Sequence, residues 1–231
     1  MESLLITTAT RPPENIFMLR MTSHSKRLIL ARAAVLFWAC NGIKRIVIAD
    51  ATGHQNMTDE DVKILDDQGV QVEQISYIQD QKSIIARGKG YGEGKLIKQA
   101  LEQSKFLKEA NHFYKCTGKI YCQNFSNISK LIKNAGANNV FWEEPHGKTI
   151  DARFYYTSKL FFENVLGPAY EMINDNAGIT AENVLYDAAI SALSKTESIR
   201  PLLSGFSGSL DKQYVDNGRG LMDKTFPCWV S

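Results

Sequence analysis

What the sequence withholds narrows its class first. No stretch approaches the roughly 18 consecutive apolar residues that a membrane helix needs, and the opening MESLLITTATRPP has neither the basic start nor the apolar centre of a secretory leader. A cytoplasmic protein is expected. Cysteine is sparse: Cys40, Cys116, Cys122 and Cys228 never fall at a C-x-x-C spacing, which argues against a structural zinc or a disulfide framework and leaves four structural thiols. His24, His54, His112 and His146 show no metal-ligand spacing. A formal charge of +2, with cations mixed among acids, offers no electrostatic footprint for nucleic acid, although peripheral attraction to an anionic membrane stays open. No linker, repeat or low-complexity stretch divides the chain, so one domain over residues 1–231 is expected.

What is there is alternation. Residues 3–8 form a β-rich run that Arg11-Pro12-Pro13 breaks. Residues 25–40 fit a helix, with Ser23 or Ser25 as its cap and Asn41-Gly42 as its stop, and residues 43–49 fit a buried parallel strand ending at Asp50. Thr58 caps a helix reaching Gln68, and residues 70–77 are a third strand. Leu96, Ile97, Ala100, Leu101, Ser104 and Leu107 mark one buried helix face, followed by a strand at 112–115, a helix at 126–135 and a strand at 139–143. This order predicts an α/β fold with a mainly parallel sheet, helices on both faces and ligands at the carboxyl ends of strands. Past about residue 144 the texture changes: a strand at 151–156, a short helix at 159–165, a longer one at 181–193, and a tail from Pro201 without a helix.

The chain is organised around residues 87–119. Gly90, Gly92 and Gly94 alternate with Lys89, Tyr91 and Glu93 ahead of a helix. Glycines let backbone approach a ligand closely, and a helix start presents partial positive charge, so a phosphorylated or sugar-phosphate ligand is expected there. A glycine-rich turn joining two core elements is the plainer alternative. The stretch has neither the dinucleotide spacing nor a closing Gly-Lys-Ser/Thr, and Gly205-Phe206-Ser207-Gly208 misses the spacing of a hydrolase elbow. Asp50, at a strand end, suits hydrogen bonds from a ribose or a base, or simply forms a turn. Lys115 and Lys119 flank Thr117-Gly118 and suit a diphosphate leaving group, a task metal ions otherwise fill, or a solvated loop. Glu182 opens its helix, where the dipole favours an acid in any case. Asp151 with Arg153 fits a strand-end ion pair.

These residues resemble small bacterial glycosyltransferases of the GT-A type, found in lipopolysaccharide and capsule biosynthesis. The likeness rests on K-G-Y-G-E at 89–93, F-Y-K-C-T-G-K at 113–119, D-A-R-F at 151–154, A-E-N-V-L-Y at 181–186 and S-G-F-S-G-S at 204–209. It implies a GT-A-like, Rossmann-like domain, with residues 1–144 binding a nucleotide sugar and residues 145–231 forming the acceptor and catalytic half. The implied reaction moves a hexosyl or CMP-linked sugar from its nucleotide to a growing glycan or lipid-linked glycan, in the cytoplasm or at the inner face of the membrane. Donor binding would fall to Thr8, Arg11, Asp50, Lys89, Gly90, Tyr91, Gly92, Glu93, Lys115, Thr117, Gly118 and Lys119. Arg153 and Ser207 would face the acceptor, Glu182 would be the catalytic base and Asp151 would orient the acceptor. Where the family carries an Asp-x-Asp metal motif this chain has Lys115-Cys116-Thr117, and its only D-x-D, Asp59-Glu60-Asp61, opens a surface helix. No metal or other cofactor is therefore expected. Two alternatives stand beside this one: a nucleotidyltransferase-like enzyme, which needs metal-binding carboxylates near Glu93, and a non-catalytic sugar-nucleotide-binding module, which would tolerate loss of Glu182 and Asp151.

Overall fold

Strand residues sort by parity onto two faces, which builds two cores on one sheet. In β1 (Ser3–Thr8), Leu4 and Ile6 enter one core and Leu5 the other. β2 (Arg45–Asp50) divides the same way, Ile46 and Ile48 against Val47 and Ala49. Burial on both faces marks the middle of a parallel sheet. In the computed structural model, which describes residues 2–144, 147–190, 199–209 and 211–215, β3 (Gln71–Ser76) and β4 (His112–Thr117) run parallel to them. A short β5 (Ile120–Cys122) leaves the sheet, and β6 (Phe154–Ser158) closes its edge antiparallel to β4. The order is β3-β2-β1-β4-β6.

Helices cover both faces. α1 (His24–Cys40), α2 (Asp59–Asp67) and a later helix at Phe125–Ala135 bury Val35, Trp38, Leu65, Ile128 and Ile132 on one side. On the other, α3 (Gln81–Arg87) packs on α4 (Lys89–Gln103), and α5 (Lys105–Glu109) follows after a break at Ser104. The Phe125–Ala135 helix is thus α6. α7 (Lys159–Phe161) passes through a π turn, Phe162–Leu166, into α8 (Gly167–Tyr170), and α9 (Ala181–Ala189) packs beside it. β7 (Leu203–Ser207) and β8 (Lys212–Val215) join β5 in a second, antiparallel sheet. The architecture is the expected one, a mixed α/β fold with a mainly parallel central sheet flanked by helices.

Several expectations need correction. The single helix after the glycines is two, because Glu73 of β3 accepts the amides of Lys105 and Phe106 (2.9 and 3.2 Å) and the hydroxyl of Ser104, and so starts α5 afresh. Residues 139–143 are not a strand: Val140 and Tyr156 exchange a pair of bonds, but the Asn139 side chain takes the amide of Ser158 (2.9 Å), and the ladder goes no further. The strand expected at 151–156 is β6, which begins three residues and ends two residues later and forms the fifth member of the central sheet. The tail, expected to lack a helix, carries the strands β7 and β8. Cys228, His146 and the end of the helix expected at 181–193 lie outside the described residues.

The largest correction concerns the glycines, which lie inside α4, buried, and not in a loop. A Cβ on Gly94 would sit 2.3 to 2.7 Å from Cβ, Cγ and Cδ1 of Tyr170, a wholly engaged core ring. The small residues thus let α4 lie against α3, α8 and the Ile173 turn. Gly→Ala within a helix ordinarily gains about 1 kcal/mol. Here Gly94→Ala is expected to lose about 1–3 kcal/mol through overpacking, lowering Tm by roughly 2–4 °C per kcal/mol. A thermal melt showing a stabilised variant would refute the packing role.

Candidate functional site

β1 has β2 on one side and β4 on the other, so the crevice at the carboxyl ends of β1 and β4 is the topological switch point. Gly118 stitches it, its N–H donating to Thr7 O at 2.7 Å. Beneath lies Glu93, one turn into α4. Its Oε1 accepts from Thr7 Oγ1 (2.7 Å) and Thr117 Oγ1 (3.0 Å), and its Oε2 pairs with Lys115 Nζ at 2.8 Å. Lys115 is wholly buried and donates also to Thr117 Oγ1 (2.9 Å) and Ala152 O (2.8 Å). Burial pushes the Glu93 carboxyl up, but the Lys115 charge and the bonds from Lys115, Thr7 and Thr117 outweigh it and hold the group below the usual carboxylate range.

Above this pair is a cationic rim. Lys119 follows Gly118 in a left-handed conformation (φ 76°) and is only 9 % exposed. Among the described residues no hydrogen bond or ion pair reaches its Nζ. Burial first, then the charge of Arg27, bring its ammonium down to about 7 against the pull of Glu93 and Asp50. Arg27 is itself buried; Nε donates to Ala9 O (2.5 Å) and Nη1 to Met21 O (2.7 Å), and burial lowers its guanidinium to about 10 against the pull of Asp50. A methyl group on Gly208 would stand 3.6 Å from Arg27 Nη1 and 3.7 Å from Lys119 Cε, so the loop after β7 lies between the two cations. Lys89, exposed at the start of α4, reaches the hydroxyl of Ser209 in that loop. Gly205, at φ 137°, makes the approach feasible: any Cβ there would meet Lys119 O at 2.0 Å.

The acids gather on the other side. Asp175 accepts the Gly90 amide at 2.9 Å, and burial raises its pKa against that bond and Lys89, with Glu182 raising it further. Glu144 is raised by burial, then by Asp151, with a smaller contribution from Glu182. Asp151 is buried in a bidentate pair with Arg153, both contacts 2.7 Å. Glu182 is half-buried in the first turn of α9. The site is therefore bipolar: cations toward the β7 loop, carboxylates toward α9. No group of three or more His, Cys, Asp or Glu side chains is arranged around a metal position among the described residues.

Several expected site residues stand differently from the sequence reading. Asp50 is not at an open rim. It is wholly buried, Oδ2 accepting from Thr8 Oγ1 and Thr10 N (both 2.9 Å) and Oδ1 from Thr52 N (2.7 Å), Thr52 Oγ1 (2.5 Å) and His54 N (3.4 Å). Burial pushes it up, but these bonds, led by those from Thr52, win and keep it ionised; it ties together the loops after β1 and β2. The seat at the start of α4 is filled by Asp175 and is not open to a ligand anion. Lys115 is neutralised by Glu93. Tyr91 lies under the Arg87 guanidinium (4.0 Å to its ring centre), and Gly92 O takes the Gln79 side chain, so both belong to the α3–α4 contact beside an open pocket of about 240 Å³ and not to the crevice. Arg11 is exposed, anchored through its amide to Thr52 Oγ1 (3.1 Å), and Ser207 ends β7 half-buried. Sequence reasoning missed Arg27, Glu144 and Asp175. Only Arg27 left a signal, an arginine on the stripe shared by Ala31, Ala34 and Trp38.

No protein-family profile and no curated protein matches this sequence. Solved structures with a similar chain path include a glycosyltransferase involved in glycosylation of the major capsid of PBCV-1, 10% identical, covering 84% of this chain and 79% of that one at a TM-score of 0.46. The inositol-1-phosphate CTP transferase of T. maritima is 12% identical, covering 84% and 83% at 0.44. Mouse xyloside xylosyltransferase 1 is 9% identical, covering 83% and 81% at 0.40.

Proposed function

We propose that the chain is a nucleotide-sugar-dependent glycosyltransferase whose donor phosphates lie on Lys119, Arg27 and Lys89 and whose acceptor lies toward Glu182. One observation carries this reading: an almost buried ammonium at the switch point, crowded by Arg27 and engaged by no hydrogen bond or ion pair among the described residues. A buried cation next to another cation is costly, and a bound diphosphate relieves both. In the reaction the acceptor hydroxyl attacks the anomeric carbon as the bond from that carbon to the phosphate oxygen breaks. The nucleotide leaves with the bonding electrons, and the hydroxyl proton passes to a carboxylate, for which Glu182 is the candidate. The cations then do what a divalent ion does elsewhere, so turnover is expected with chelator present. A bacterial surface glycan, lipid-linked or free, is the acceptor that the sequence resemblance suggests.

Thermal-shift screening against UDP, GDP, CMP and dTDP sugars with and without chelator tests the donor site, since a ligand of the folded state raises Tm by mass action. A shift that survives chelation and disappears in Lys119→Met supports the clamp; a shift that needs metal, or none with any nucleotide, sinks it. The pH dependence has a definite sign. Lys119 titrates near 7 when folded and at 10.5 as the ordinary value, so between these the unfolded chain holds more protons and stability rises with pH. Without ligand, Lys119→Met should raise Tm most below about pH 7 and least near pH 10. Nucleotide affinity of the parent should fall as pH rises through 7.

A further inference from the structure

The outer face of α1 is apolar. Ile29 is 61 % exposed and Leu36 48 %, with Ala33 and Cys40 exposed beside them. At about 100° per residue these four share one stripe. The opposite stripe, through Ala31, Val35 and Trp38, is buried in the core. A helix of a soluble surface carries charge across its outer side, and on this one charge is confined to Lys26 and Arg32 at the margins of the stripe. The turn before α1 behaves likewise: Leu19 N bonds Ile16 O (3.2 Å), Met18 takes φ 52°, and Phe17 and Met18 stand exposed between buried Ile16 and Met21. The turn is not loose, because the amides of Arg20 and Met21 both donate to Gly208 O at 3.1 Å.

Charge selects the partner. Residues 15–49 contain no Asp or Glu; of their cations Arg27 is buried and Arg45 pairs with Glu109 (2.8 Å), which leaves Arg20, Lys26, Arg32 and Lys44 at the surface. A second copy docked symmetrically by this face would bring two cationic margins together, which repel. An apolar stripe flanked by long cationic side chains is instead the pattern of a helix lying in a lipid interface. Lys26 pairs with Asp211 (2.7 Å) and Arg32 approaches Asp61 (3.8 Å), but both pairs are solvent-exposed, and such pairs are weak enough to yield to lipid phosphates. We propose that the outer face of α1 and the Phe17–Met18 turn dock onto an anionic lipid bilayer. Gly208 also borders Arg27 and Lys119, so docking brings the mouth of the crevice to the lipid surface; if the transferase reading holds, the acceptor is lipid-anchored.

Flotation of the full chain with phosphatidylcholine vesicles, with and without phosphatidylglycerol, tests the docking apart from any enzyme activity. The expected result is binding only with phosphatidylglycerol, weakened by salt, and reduced about tenfold or more in Ile29→Glu/Leu36→Glu and in Phe17→Ser/Met18→Ser. Both variants change exposed residues only, and an unchanged Tm confirms that they fold. Equal partition into both vesicles, or variants that float like the parent, would overturn the proposal. So would a lipid-indifferent dimer that the Glu variant splits in sedimentation, because the covering surface is then a second copy. Cys40 that resists a maleimide in lipid-free monomer, in a Cys228→Ser background, would also overturn it, since the stripe would already be covered by the chain itself.

Discussion

Glu182→Gln is expected to slow sugar transfer by about 10²- to 10⁴-fold while donor affinity stays near the parental value, because the substitution keeps shape and removes basicity at the step where the acceptor loses its proton. Leu185 and Ala189 anchor α9 in the core behind it, so the carboxylate is held on a rigid element and not on a loop. Its field includes Glu144, Asp175 and Tyr170. The rival account, in which Glu182 only complements the helix dipole, expects a loss of about 0.3–1 kcal/mol and normal turnover. Steady-state kinetics with a bound-donor titration separates them. If the Gln variant transfers at the parental rate, Asp175 is the next residue to test, since its pKa is raised toward that of a working base by burial.

Glu93→Ala is expected to cost about 3–5 kcal/mol of stability, because it strands the wholly buried Lys115 with only Thr117 Oγ1 and Ala152 O. Lys115→Met should cost a similar amount by stranding Glu93. Glu93→Leu with Lys115→Met removes both charges together, and recovery of most of the loss in denaturant melts would show that the pair is coupled. If the single variants melt within about 0.5 kcal/mol of the parent, the pair is structurally idle. The sign with pH follows from Glu93 lying below its ordinary 4.5: its contribution is present above that value and is lost as pH falls through the lower folded one.

These two expectations had different visibility in the sequence. Glu182 was legible as a helix-start acid, because capping and dipole preferences are local. The Glu93–Lys115 pair was not, since it joins a helix to a strand end 22 residues away and neither residue's neighbours announce it. The same limit explains the glycines. Alternating Gly90, Gly92 and Gly94 suggested a loop because glycine lowers helix propensity, yet burial against Tyr170, Ile84 and Ile173 overrides that preference. Asp50 was placed correctly at a strand end, but local rules do not tell whether a strand-end carboxylate faces solvent or is enclosed by its own loops.

By itself the sequence determined the periodicities: five of the central elements, β1, α1, β2, β3 and β4, and the division of β1 and β2 into two apolar faces follow from side-chain spacing, which is a property of neighbours along the chain. Only the tertiary structure decided which polar groups pair and which remain. It neutralised Lys115 with Glu93, closed the α4 start with Asp175, enclosed Asp50 in threonine hydroxyls and amides, and left Lys119 beside Arg27. The physical reason is that the charge state and exposure of an ionisable group depend on what the fold brings within a few ångströms of it, and those partners come from distant parts of the chain.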